Sequence, residues 1–209
     1  MAIIAENSGT KRELIPAGSY LARCYSMIHV GTNNEEINGE EKRINKVRIT
    51  WELPNELREF DGQMKPLVIS KEYTLSMHEK STLRKDLENW RGKGFTEEEA
   101  KKFDVTKLLG VPCLLSIIHS LSKKGDAFAK VASPSSMIKG MDCPPQFNPT
   151  FEFNYTDQFS DEKVESFPDF IKEKIKTSEE YVELKIGATD SSDDTIQDDS
   201  SVETDDLPF

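Results

Sequence analysis

The chain has 209 residues, 36% of them hydrophobic and 31% charged, with a formal net charge of −11; that is enough to bury one core but not two. Cys24, Cys113 and Cys143 are odd in number and widely spaced with no CxxC pair, which excludes a disulfide framework or structural zinc site and predicts free thiols in a reducing, cytoplasmic compartment. No apolar run approaches the roughly 18 residues that span a bilayer, and the first residues lack a charged region followed by an apolar one, so no membrane partner is expected.

The acidity is unevenly placed. Residues 1–140 hold 22 Lys+Arg against 19 Asp+Glu, residues 141–186 hold 5 against 11, and residues 187–209 hold none against 8. Charges are screened beyond about 8–10 Å at physiological salt, so local patches rather than the total decide contacts, and a near-neutral body remains compatible with phosphates.

The first 13 residues are polar and unpatterned and read as a flexible lead-in. Pro16-Ala17-Gly18 turns the chain into a first strand over residues 20–30, followed by a long polar loop, GTNNEEINGEEK. Residues 46–53 alternate: Val47, Ile49, Trp51 and Leu53 face a core, and Lys46, Arg48, Thr50 and Glu52 face solvent or ligand. Asp61-Gly62 reads as a turn before a third strand over residues 67–77.

The period then changes. Leu83, Leu87 and Trp90 fall at i, i+4 and i+7, the stripe of an amphipathic helix closed by Gly92, and Thr96 with Glu99 forms a capping box for a second, short helix. Residues 111–120 and 127–133 are two more strands joined by a hairpin at Gly125-Asp126. Trp51 and Trp90 read as core.

Three strands, a helix and two strands is the element order of the OB-fold, a mainly β, five-stranded, partly open barrel that binds oligonucleotides on strands two and three and the flanking loops. The expected organisation is a flexible segment over 1–13, the barrel over 14–140, and an extension over 141–186 that packs its aromatics on the barrel and ends in a helix starting at Pro168. From 187 to 209 the chain is Ser, Thr and Asp with Ile196 and Val202 as the large apolar residues before the final tripeptide, a composition that predicts a disordered acidic tail.

Candidate nucleic-acid contacts follow from the pleat. Each strand pairs a ring with a cation on one face: Arg23 with Tyr25, Lys71 with Tyr73, and Phe128 with Lys130. Lys46 and Arg48 could track phosphates, and Lys123 and Lys124 occupy the last hairpin. Aromatic stacking tolerates any base and basic groups hold the backbone. The three histidines are dispersed and no HExxH, P-loop or GxSxG motif occurs, so no catalysis and no cofactor are expected.

Asp205-Asp206-Leu207-Pro208-Phe209 resembles the acidic tip of bacterial single-stranded DNA-binding proteins, which implies docking of Phe209 in basic-rimmed apolar pockets of helicase, primase, polymerase or nuclease partners. The body is similar to a bacteriophage single-stranded DNA-binding family, through residues 71–80 (KEYTLSMHEK), 83–92 (LRKDLENWRG), Leu108-Leu109-Gly110 and the proline segment from Met141 to Pro149. The resemblance spans about residues 14–185. It implies coating of single-stranded DNA in phage replication, recombination and repair, with a homo-oligomer possible. A decoy that binds host proteins through the tail without holding DNA, and a strand-annealing recombination protein, are the alternatives.

Overall fold

The computed structural model describes residues 13–156 and 159–190. Five strands form one curled, open antiparallel sheet: β1 (Gly18–Ile37), β2 (Glu40–Phe60), β3 (Gln63–Thr74), β4 (Pro112–Leu121) and β5 (Ala127–Ser135), in the order β3-β2-β1-β4-β5. The sheet is a half-barrel whose two end strands, β3 and β5, face each other across a seam. Helix α1 (Thr82–Arg91) packs against both of them.

Residues 31–42, expected as a loop, instead extend β1 and β2 into a long hairpin, with Ile37 opposite Glu40. Its turn residues Asn38 and Gly39 both have positive φ, 56° and 81°, as a two-residue turn compatible with strand twist requires. Asp61 and Gly62 repeat the geometry between β2 and β3, at 51° and 76°. Both arms of the first hairpin are largely exposed, so neither face imposed an apolar alternation that sequence reading could detect.

Helix α1 starts at Ser81, whose hydroxyl accepts the Arg84 N–H, and ends at Gly92. The Thr96–Glu99 capping box opens α2 (Glu97–Lys101) as expected. The interior of the half-barrel holds Ala22, Cys24, Met27, Val47, Ile49, Trp51, Leu53, Leu115 and Ile117, closed at the seam by Leu83, Leu87 and Trp90 of α1. Trp51 and Trp90 lie 5.7 Å apart between ring centroids. Burial pushes the Cys24 thiol up to about 12 and that of Cys113 up as well, while Cys143 is half-buried; all three are free.

A second core, beyond the single one expected from length and composition, lies on the outside of β1. A bulge at Tyr25 shifts the strand by one residue, and a one-residue shift exchanges faces, so Ile28 and Val30 point outward. They pack against Phe153, Val164, Phe167, Ile171 and Ile175 of the extension. The extension comprises β6 (Phe151–Phe153), α3 (Asp161–Glu165), α4 (Asp169–Lys176) and α5 (Glu179–Asp190). Strand β6 runs parallel to Ser26–Ile28, on the edge that β4 leaves after Arg23. Helix α5 continues to Asp190, past the expected start of the tail at 187. Gly31 lies where α5 docks: at φ 91°, an added Cβ would stand 2.5 Å from the Ser178 Cβ, so both the backbone conformation and the close approach require glycine.

Polar contacts fasten the extension. Glu52 is fully buried and accepts the N–H groups of Phe147 and Asn148, both at 2.8 Å, and the Asn148 amide at 2.7 Å. This corrects its assignment to a solvent or ligand face, because the extension covers it. Opposite Glu52 in register, Arg23 donates to the carbonyls of Gly110, Pro144 and Cys143. Glu180 accepts the N–H and hydroxyl of Thr32, both at 2.7 Å.

Glu72 lies between Lys174 at 2.7 Å and Arg48 at 3.1 Å. Burial alone would raise the Glu72 carboxyl, but the hydrogen bond and charge of Lys174 and the Arg48 guanidinium outweigh it and hold the group below the usual carboxylate range. Burial likewise opposes, and the Thr32 donors overcome, the same shift at Glu180. A carboxyl lowered in the folded state stabilises fully above its ordinary value of 4.5 and ceases to do so as pH falls through the folded value. Acidification is therefore expected to loosen the extension before the barrel. In an NMR titration from pH 6 to 3, Ile171 and Ile175 methyl signals should lose dispersion before those of Leu115 and Ile117; simultaneous loss would refute separate fastening.

Candidate nucleic-acid interface

The seam between β3 and β5 opens into a groove of about 1160 Å³. One wall is the end of β3, from Ser70 to Thr74; the other is Phe128–Ala132 of β5 with Ile118 of β4. The loop from β3 into α1 closes one end with Ser76, His78, Lys80 and Ser81. The seam is a consequence of topology: β3 and β5 are the two ends of the sheet, and α1 fills the gap at one level and leaves it open at another.

Phe128 and Ile118 line this groove with 40% and 45% of their surface exposed. Lys130 and Lys80 also line it and are exposed, and among the described residues neither forms an ion pair. Lys71 stands on the inner face of β3 with its ammonium held by Asp86 at 2.7 Å and the Ala132 carbonyl at 3.0 Å, leaving 14% of its side chain exposed. Tyr73 is buried and donates to Asp86 at 2.9 Å. Its phenol is raised first by burial and then by the Asp86 carboxylate.

The candidate cations and rings thus divide. Phe128, Lys130, Lys71 and Tyr73 come together at the groove, but Tyr73 belongs to its buried wall and is closed to a base, because its register opposite Val47 places it on the core face. Lys123 and Lys124 are exposed in the turn before β5 and do not line the groove. Arg23 is committed to the carbonyls of the extension and is closed to phosphate. Lys46 is paired with Glu35. Tyr25 and Arg48 lie elsewhere, in a cleft of about 470 Å³ between the outer face of β1–β3 and α4. Asp205, Asp206, Leu207, Pro208 and Phe209 lie outside the described residues.

The chain matches no family model, no curated protein and no solved structure. Its site must be judged on its own chemistry. Sequence reading missed Lys80, His78 and Ile118, which reach the groove from a loop and from β4. The available signal was Lys80 just before the helix cap at Ser81, in a loop between a strand and a helix.

An open channel with an exposed ring, an exposed aliphatic side chain and two ammonium groups that form no ion pair among the described residues suits a ligand with flat apolar faces joined by anionic links. Among the described residues no helix is long and apolar enough to cross a membrane, and no group of three His, Cys, Asp or Glu side chains could hold a metal ion.

Proposed function

We propose that the protein binds single-stranded DNA without strong sequence preference, in the groove between β3 and β5 of an OB-fold barrel. The strand order, with a helix between β3 and β4 packed across the seam, supports the OB reading. The observation that carries the function is Phe128, half exposed in a groove that also presents Lys130 and Lys80. A base stacks on the ring and the ammonium groups hold adjacent phosphates, which gives affinity without base readout.

The acidic segment with Asp205-Asp206-Leu207-Pro208-Phe209 supports a second role, recruiting replication and repair enzymes. An acidic lead-in steers it toward basic-rimmed pockets, and Phe209 fills an apolar one. Together these make the protein a phage-type coating protein of replication, recombination and repair, acting in the host cytoplasm without a cofactor.

The test is fluorescence anisotropy of a labelled dT oligonucleotide at two salt concentrations, with duplex competitor. Binding should be salt-sensitive and resist duplex. Phe128→Ala should weaken it by about 1–3 kcal/mol with the circular dichroism unchanged, and removal of residues 207–209 should leave DNA affinity intact while abolishing association with a replicative helicase or primase. Absence of DNA binding by the full chain would overturn the first role and leave the tail as the functional part, the behaviour of a decoy.

A further inference from the structure

We propose that the C-terminal extension forms part of the DNA site: the strand leaves the groove across β3 and places a base in the cleft between the outer sheet face and α4. The inference rests on the single-stranded DNA reading of the groove and adds a second contact to it.

The two cavities meet at one residue. Ser70 of β3 lines both the groove and the cleft, so a polymer lying in the first reaches the second by crossing the edge strand. The crossing is electropositive. Glu72, on the groove side, is held between Arg48, on the cleft side, and Lys174 of α4, and two cations around one carboxylate leave a net positive charge where a phosphate must pass.

The cleft beyond is built for a flat, amphipathic group. Tyr25 comes from the barrel, and Phe151, Phe167 and Phe170 come from the extension. Phe170 keeps 51% of its surface exposed although the Arg48 guanidinium lies 5.2 Å from its ring centroid. Ser26 and the Thr50 and Ser70 hydroxyls, which bond each other at 3.0 Å, form a polar rim around the rings, where a hydroxyl lone pair can still accept from the edge of a base. Its volume of about 470 Å³ lies within the range of sites that enclose small planar ligands. A nucleobase suits the rings, the polar rim and the positive approach together.

Contacts in two cavities make affinity depend on length. Full-length protein is titrated with dT oligonucleotides of about 4 and about 14 nucleotides, which fill the groove alone or both cavities. Phe170→Ala should weaken the longer about tenfold and leave the shorter unchanged. The unmodified protein, photo-crosslinked to the longer oligonucleotide carrying 5-iodouracil, should yield adducts at Phe128 and also at Tyr25 or Phe170.

Adducts at Phe128 with none in the cleft, and affinity of Phe170→Ala for the longer oligonucleotide equal to that of the unmodified protein, would overturn the extended path while leaving the groove in place. Failure of both oligonucleotides to bind would remove the groove reading and this one with it. The crosslinking arm uses the unaltered chain, so it remains decisive if the substitution disturbs α4.

Discussion

Replacing both Lys80 and Lys130 by glutamate should weaken binding of a dT oligonucleotide by on the order of a hundredfold at low salt, with the fold unchanged. Both side chains are exposed and line the groove, and neither belongs to an ion pair among the described residues, so the core loses nothing. Reversal removes two attractions and adds two repulsions. The salt dependence distinguishes this from general damage: each phosphate no longer neutralised on a single strand reduces the slope of log K against log salt by about 0.7, so the double variant should lose about 1.4. Unchanged affinity and slope would show that the strand does not use the groove. Reversing Lys46 serves as the comparison, because that ammonium already faces Glu35 and should matter far less.

The largest effect on stability is expected at Glu52. Its carboxylate is buried against three N–H donors from Phe147 and Asn148, and hydrogen bonds to a charged group each contribute about 1.5–3 kcal/mol. Glu52→Ala should cost about 4 kcal/mol, a large part of the 5–15 kcal/mol typical of a domain. Glu52→Gln, which keeps one acceptor oxygen, should fall in between. Urea titration measures the loss, and limited proteolysis locates it, with new cleavage expected between residues 141 and 150. A change below 1 kcal/mol would mean that the segment is held by other contacts.

The contrast between Glu52 and its neighbours shows how much of the fold was legible. Val47, Ile49, Trp51 and Leu53 announce the core face of β2 by alternation, because one side of the strand is uniformly apolar. Glu52 sits on the polar side of that pattern, and its burial depends on residues about 95 positions away, which no local period records. Tyr73 was misplaced for the opposite reason. The ring and Lys71 share a face, as read, but it is the inner one; Lys71 reaches out only at the seam, where Asp86 of α1 meets it. Residues 31–42 carry strands without alternation because both sides are largely solvated. The groove was half legible: Phe128 and Lys130 alternate visibly with Ala129 and Val131, whereas Lys80 arrives through the closure of β3 against α1.

The shared edge of β1 also constrains the order in which the molecule can assemble. Residues 18–23 of that edge are filled by β4, but residues 26–28 wait for β6, whose Phe151 pairs with Ser26 across 125 positions of chain. Contacts so distant in sequence carry a large loop-closure cost and form late. During synthesis the five-stranded sheet is complete while Ile28 and Val30 and the bare backbone beside them still face solvent, an open template for a strand from another chain. The extension is thus the element that ends the molecule's exposure to aggregation, and a barrel cut off at residue 140 would retain that exposure permanently.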